Sequence, residues 1–510
     1  MTTANPGQER ARKAGRGGIA VLGAKVFFVV SGLVQQAILP RAIGLAGYGA
    51  LARVLALGNI LNNVVIASSV QAVSRTVAGS LGRERDSFRA AFRIHAPLAL
   101  LLAAGFASLA PALARFEGAP HITVPLALVA LVVLFYGIYA PIVGLLNGRG
   151  EFTRQAGLDI VFAVIRTAAM VGVGWLFVRQ GWPGVAGATV GFVIASACIV
   201  PLAAWAAFPL RAPVDGSTLA PPSAGKYLSG LWPLGLAQFF TNAVMQVDIT
   251  LLGHFLSARA VSDVKSADEW VGVYRACQLF AFLPYQLVLS ITQILFPMLA
   301  AAKAEGDHNR VRAYVERGAR LAALACGLMV AVVAAIPGSV LRFAYTAEIA
   351  DRGAHALRIL ALGQGCFAML AIATTVLASL GKERVSARLT LGALGSVVAG
   401  CTVLTSRADF GEAQLIATAI GTSVALFGTL LVAASRVKKE TGGFLPLKTC
   451  LRVPLALAIA AGVGSLAPTT GRLVTPVVAV GVALLYVIVL LATQELTRAD
   501  AHALRALRGK

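Results

Sequence analysis

Residues 159–175 read DIVFAVIRTAAMVGVGW, and this stretch decides the fold. Apart from Asp159 at its start and Arg166 near its middle, every residue is apolar, small or a lone threonine. Extended to its flanks at 155–178, the run is long enough to carry an α-helix through a hydrocarbon core of about 30 Å, which takes roughly 20 residues. Similar runs recur on both sides. Clusters of proline, glycine and charge break them into about fourteen helices, an all-α polytopic membrane arrangement. Helices are expected near 18–40 and 46–72 at the start, 227–257 and 268–300 in the middle, and 443–468 and 473–496 at the end.

The composition agrees with lipid as the main solvent. The 510 residues are 58% hydrophobic and only 13% charged, with a mean hydropathy of +0.79, whereas soluble domains carry about 25% charged residues. The net charge of +22 would point to nucleic acid in a soluble protein. In a membrane protein it has a simpler origin, because Lys and Arg collect in cytoplasmic loops, and no nucleic-acid partner is expected. The six cysteines lie singly, without a CxxC or a Cys/His cluster of metal-ligand spacing, so no metal site and no cofactor are expected. The N-terminal stretch to Arg16 is polar and basic and lacks the apolar region of a signal peptide, so the first helix is expected to be retained.

The basic residues also give orientation. With the N-terminus inside, the N-tail (Arg10, Arg12, Lys13, Arg16), the even-numbered loops and the C-tail hold 30 of the 44 Lys and Arg, and the opposite side holds 8. Both termini are therefore expected in the cytoplasm of a bacterial inner-membrane protein, with an even number of spans.

An internal repeat divides the chain. GYGAL at 47–51 is echoed by GVYRA at 272–276, and LLNGRGEF at 145–152 by LASLGKERV at 377–385. Six helices separate the copies, so the repeats are expected to run parallel, related by an axis along the membrane normal. The expected organisation is a cytoplasmic N-tail at 1–17, a six-helix lobe at 18–208, a linker at 209–226, a second six-helix lobe at 227–436, two added helices at 437–496 and a cytoplasmic C-tail at 497–510.

Six cations fall inside expected helices: Lys25, Arg53, Arg166, Arg275, Arg342 and Arg358. A cation at a helix centre costs about 2.5–3.5 kcal/mol, so it calls for a partner, a water-filled cavity or a route to the interface. Arg166 is too deep to reach the headgroups and is the leading candidate for a substrate-binding cavity. Arg53 and Arg275 lie at matching depths in the two repeats, which favours a cavity shared between lobes. Lys25 is close enough to the cytoplasmic end of its helix to snorkel, and that reading stands beside a cavity role. Arg342 and Arg358 read as interfacial anchors. Asp248 and Asp159 place acids well inside helices; Asp248 matches Arg275 in depth and is expected to pair with it, while ion coupling stays open for both acids. Gln238, Asn242 and Gln246 repeat every four residues on one helix face, a stripe that suits either interhelical hydrogen bonding or a sugar-conducting cavity. No catalytic residues are assigned, since no Ser/His/Asp, metal or nucleotide motif occurs and the loops are short.

One group of residues has a family likeness. Asp248, Leu251, Leu252 and Gly253, then Val271, Gly272, Val273, Tyr274 and Ala276, then Phe296, Pro297 and Leu299 resemble the bacterial polysaccharide (O-antigen, Wzx-type) flippases. Pro40, Arg41, Ile43, Gly44, Tyr48 and Gly49, with Leu357, Arg358, Ile359, Leu360, Gly381, Lys382 and Arg384, carry the same likeness. It implies the multidrug/oligosaccharidyl-lipid/polysaccharide (MOP) exporter superfamily, a cationic central cavity and alternating access for a polyprenyl-diphosphate-linked oligosaccharide of the O-antigen or lipopolysaccharide kind. The partners it implies are that lipid, the bilayer and the machinery that polymerises or ligates the glycan. A drug/cation antiporter of the same fold is the nearest rival, but it would favour acids, and here six cations face two. An integral-membrane glycan-processing enzyme would need a larger extramembrane loop with catalytic carboxylates.

Overall fold

The computed structural model describes residues 6–80, 83–208, 223–260, 263–468 and 470–496, with side chains from Gly23 onward, Lys25 excepted. Most of the linker expected at 209–226 and the whole C-tail at 497–510 lie outside the described residues, as do the side chains of the N-tail.

Helices make up almost all of the described chain. The first runs Pro6–Ala78 but contains Gly44 at φ 76° and ψ 162°. A positive φ is cheap only for glycine, so Gly44 divides the run into α1 (6–43) and α2 (45–78). There follow α3 (Glu84–Phe116), α4 (Thr123–Gly148), α5 (Phe152–Arg179), α6 (Gly184–Ala207) and α7 (Ala224–Arg259). Next come α8 (Val264–Ala304), interrupted at Phe282, and α9 (His308–Ala335), which leads into a short helix at Pro337–Ala344. The last five are α10 (Ala347–Ser379), α11 (Glu383–Thr405), α12 (Glu412–Thr441), α13 (Leu447–Gly464) and α14 (Thr475–Ala492).

Among the described residues, twelve helices are long and apolar enough to cross a membrane, and one of these, Val26–Ala78, is divided by the Gly44 break. The 36 residues of α7 span about 54 Å at 1.5 Å per residue. Its lower apolarity comes from the stripe of Gln238, Asn242 and Gln246 together with Asp248 on another face. The result is the expected all-α, fourteen-helix membrane protein.

The chain forms two compact units. Unit 1 holds residues 1–246 and 260–272, and unit 2 holds 247–259 and 273–510. In unit 1 the helices come close because small residues remove side chains from the seam, the usual solution where lipid offers no hydrophobic drive. A Cβ on Gly144 would stand 2.7 Å from Val73 Cβ, and one on Gly148 would stand 2.6 Å from Val77 Cβ, so α4 lies backbone-close on α2. Around this seam pack Leu126, Val129, Leu145 and Leu146, all fully buried. In unit 2, α11 meets α12 at Gly400 and Gly421, where each Cβ would meet the other's backbone at 2.9 and 2.8 Å. The added helices dock on α9: Tyr486 of α14 fills the space opened by Gly327 and donates to the Leu324 carbonyl at 3.2 Å.

The two copies of the glycine stop close alike. After α4, Gly150 at φ 71° donates to Asn147 O and Glu151 to Leu146 O. After α10, Gly381 at φ 70° donates to Ala378 O and Lys382 to Leu377 O. Both are left-handed glycine caps that satisfy the last carbonyls of a helix.

Candidate cationic site

Arg166 sits halfway along α5, where the polar residues of α1 meet it within unit 1. Its Nε donates to Gln35 Oε1 at 3.2 Å, and Thr167 Oγ1 donates to the same oxygen at 3.3 Å. The Gln35 amide is turned by its own Nε2, which lies 3.2 Å from Met170 Sδ. Ser31 Oγ shares a hydrogen bond of 3.2 Å with Thr167 Oγ1. The guanidinium lies over the ring of Phe28 at 4.7 Å and that of Phe162 at 5.7 Å, and Tyr136 of α4 faces it as well. Among the described residues, no carboxylate lies within 4 Å of it. Neutral dipoles and aromatic faces hold this cation, so its charge is uncompensated within the described chain. Arg166 as a whole residue is half-buried, and its planar fork is matched to phosphate oxygens.

Arg53 is placed differently. It is fully buried on α2, with Nη1 donating to the Glu117 carbonyl at 3.0 Å and standing 3.3 Å from Glu117 Oε2. Its Nε lies 2.9 Å from Asp268 Oδ1, and the other oxygen of Asp268 meets His121 Nε2 at 2.8 Å. These partners come from the turn between α3 and α4 and from the first turns of α8. Arg53, expected in a cavity shared between lobes, is enclosed here, with Asp268 as its counter-charge and the Glu117 carboxyl beside it. Burial pushes the Glu117 carboxyl up to about 8 against the pull of Arg53, and Asp268 adds to the rise.

The expected direct pair of Asp248 and Arg275 does not form. Buried Asp248 accepts from Tyr274 Oη at 2.8 Å, Gln278 Nε2 at 2.9 Å and the Ile249 amide at 2.8 Å. Arg275 Nη1 donates to Gln278 Oε1 at 3.1 Å. Gln278 thus stands between the two charges, an amide able to accept from one and donate to the other. Asp159 is half-buried in the second turn of α5. The side chain of Lys25 lies outside the described residues. Arg342 pairs with Asp351 at 2.7 Å, and Arg358 donates to the Ala334 carbonyl at 2.9 Å.

The amide stripe of α7 goes to interhelical bonding at its centre, where Asn63 Nδ2 of α2 donates to Asn242 Oδ1 at 2.7 Å. Sequence reading missed three features. One is the Glu117, Asp268 and His121 set. A second is His95, enclosed between Ser69 Oγ at 3.1 Å and Tyr227 Oη at 2.7 Å, at the edge of a largely apolar cavity of about 690 Å³ between α2, α3 and α7. The third is Glu495, 3% exposed, which receives Arg320, Arg452 and Thr449. Residue type alone signalled these, since each depends on which distant segment packs against it. Among the described residues, no group of three or more His, Cys, Asp or Glu could hold a metal.

A family model described as "Polysaccharide biosynthesis protein" matches residues 38–351, more than half of the chain. The chain belongs to this polysaccharide biosynthesis family. Among curated protein sequences, none matches it. Among solved structures, this family member is similar to the lipid II flippase MurJ in an inward closed conformation, with a TM-score of 0.70 at 16% identity over 92% of this chain and 98% of that one. It is also similar to a multidrug resistance MATE family transporter of the MOP superfamily in an inward-facing conformation, with a TM-score of 0.64 at 16% identity over 83% and 99% of the two chains. A third likeness is to a MOP superfamily transporter from Pyrococcus furiosus with a binding pocket of reverse polarity, with a TM-score of 0.55 at 15% identity over 84% and 95%. At these identities the likeness establishes the fold: this member of the polysaccharide biosynthesis family is a multi-pass membrane protein with the fold of the MOP superfamily transporters.

Proposed function

We propose that the protein carries a polyprenyl-diphosphate-linked oligosaccharide from the cytoplasmic to the periplasmic leaflet of a bacterial inner membrane, by alternating access and without a covalent step, for cell-surface polysaccharide biosynthesis. The carrying observation is Arg166, an intramembrane guanidinium held by Gln35, Phe28 and Phe162 with no carboxylate partner among the described residues. A diphosphate supplies the missing counter-charge. The paired donors of the arginine fork fit its oxygens, the apolar tail remains in lipid, and the glycan crosses as cargo.

Arg275 and Lys25 are the further cations of this proposal, each open to its own substitution. Arg53 is left out because it is fully buried and paired with Asp268. The family description supports the glycan class, and the fold shared with a lipid II flippase supports movement of a lipid-linked substrate. The proposed orientation, from the distribution of Lys and Arg, has both termini in the cytoplasm. The turn bearing Glu117 and His121 then lies on the periplasmic side.

The test is deletion of the gene followed by identification of the lipid-linked saccharide that accumulates on the cytoplasmic leaflet. Restoration of export by the wild-type gene and not by Arg166→Ala is the expected result. Unchanged surface glycan in the deletion strain, with no accumulated lipid-linked saccharide, would overturn the proposal.

A further inference from the structure

The Arg53 cluster has no part in holding substrate in the proposal above, yet it is the most deeply enclosed set of charges among the described residues of unit 1. Arg53 and Glu117 have fully buried side chains, that of Asp268 is 5% exposed, and His121 at 38% is the member that meets solvent. Three segments converge here: α2, the α3–α4 turn and residues 264–272 of α8. Their approach is backbone on backbone. A Cβ on Gly49 would overlap the Asp268 carbonyl oxygen, and one on Gly272 would stand 3.0 Å from the Leu45 carbonyl oxygen. Glu117 Oε1 is buried without a hydrogen-bond partner.

Charge accounting in this enclosure is simple. Arg53 and ionised Asp268 cancel, so a second ionised carboxylate adds a net negative charge in a dry site, at a cost that solvent would otherwise absorb. His121 offsets it only when protonated, and it does so through Asp268. The groups that face Glu117 are Arg53 from α2 and Asp268 from α8, with His121 of the 3₁₀ turn behind Asp268.

We propose that Glu117 is a proton-binding site, and that its proton holds residues 264–272 of α8 docked on α2 and the α3–α4 turn. When these segments part, the Glu117 O–H bond breaks and the proton passes to water on that face. When they close, the carboxylate takes a proton back. For the flipping reading, on which only the functional meaning of the site rests, this makes the proton the ion whose release accompanies opening of that face.

The direction follows from linkage. The Glu117 carboxyl sits at about 8 in the docked state and returns to its ordinary value of 4.5 once in water. Its contribution to docking is complete below the ordinary value and is lost as pH rises through about 8. Between these limits, one proton is released on opening, so the docked-to-open ratio falls about tenfold per pH unit.

The experiment uses full-length protein in lipid nanodiscs, with the native cysteines replaced by alanine and spin labels at Val124→Cys and Lys265→Cys, two exposed positions. Label-to-label distances are measured from about pH 4.5 to pH 8.5. The wild-type cluster should shift from one short distance to a longer one with the slope given above. Glu117→Gln, which keeps the shape of the protonated acid, should hold the short distance at every pH. Gly49→Leu should give the long distance at every pH. A wild-type distance that ignores pH, or a Glu117→Gln variant that titrates like the wild type, overturns the proposal. If Glu117→Gln does not reach the membrane, the wild-type slope decides alone. No substrate enters the assay, so failure of the flipping reading leaves this result standing.

Discussion

Replacing Arg166 by alanine separates what the residue does for the fold from what it does for transport. The cation costs about 2.5–3.5 kcal/mol at a helix centre. Against this stand a charge-assisted bond to Gln35 at 3.2 Å, worth about 1.5–3 kcal/mol, and two aromatic faces at 4.7 and 5.7 Å, worth roughly 0.5–1 kcal/mol each. The two sides nearly cancel, so Arg166→Ala should change stability by no more than about 1–2 kcal/mol, a few degrees in Tm at most. Transport should respond quite differently. Loss of one charge-assisted bond to a phosphate oxygen, again about 1.5–3 kcal/mol, lowers the flipping rate roughly 10- to 150-fold. Arg166→Lys, which keeps the charge and loses the fork, should retain part of the rate. The assay is flipping of a fluorescent polyprenyl-diphosphate saccharide in proteoliposomes, paired with a thermal melt in detergent. Wild-type flipping by Arg166→Ala at equal protein levels refutes the reasoning. So does a loss of stability well above about 3 kcal/mol, because the arginine would then be a structural element of the α1–α5 seam.

Other outcomes follow from particular contacts. Gly144→Leu drives a side chain into Val73, whose Cβ lies 2.7 Å from the position of the new Cβ, and should lower stability by about 1–3 kcal/mol, read as a melting shift. Glu495→Gln should loosen α14 from α9 and α13 by weakening the bonds from Arg320 and Arg452, seen as faster hydrogen exchange in α14. Although burial pushes the Glu495 carboxyl up, the bonds from Thr449, Arg320 and Arg452 outweigh it and hold the carboxyl below its ordinary value. Its contribution is therefore present above that ordinary value and fades as pH falls through the lowered one, so wild type and Glu495→Gln should converge in an acid melt series. A phosphatase fused after Lys510 should be inactive, since both termini are proposed to be cytoplasmic.

Helix number and helix ends were legible in the sequence because lipid imposes one rule on every crossing: an apolar run of sufficient length, ended by glycine, proline or charge. Gly44 and Gly150 illustrate it, each a positive-φ glycine at an expected break. The roles of the charges were less legible. Depth along a helix says how costly a cation is, but not which loop closes over it. Glu117 and Asp268 lie at helix ends, where acids are ordinarily solvated, and nothing in the local sequence shows that the α3–α4 turn and the first turns of α8 fold back onto Arg53. Asp248 and Arg275 failed in a related way: their depths match, but Gln278, one turn from Arg275 on α8, takes the position between them.

The same physical rule therefore leads to two kinds of buried arginine. Where a carboxylate of the chain closes over the cation, as Asp268 does at Arg53, the charge is matched internally and the gain is conformational, because closing the segments also encloses Glu117, whose charge a proton can settle. Where only an amide, hydroxyls and aromatic rings surround the cation, as at Arg166, no charge in the described chain matches it. A site of that kind keeps part of its desolvation cost unrecovered until an anion arrives, and the binding of that anion is stronger for it. Had Arg166 been given an acid of its own, the fold would lose little and the diphosphate would have to displace that acid at every cycle. An added carboxylate in the guanidinium's reach, as in Thr167→Asp, should for this reason preserve the melting temperature within a few degrees and still depress flipping about as far as Arg166→Ala. Flipping at the wild-type rate by Thr167→Asp would mean that the substrate's charge is read elsewhere.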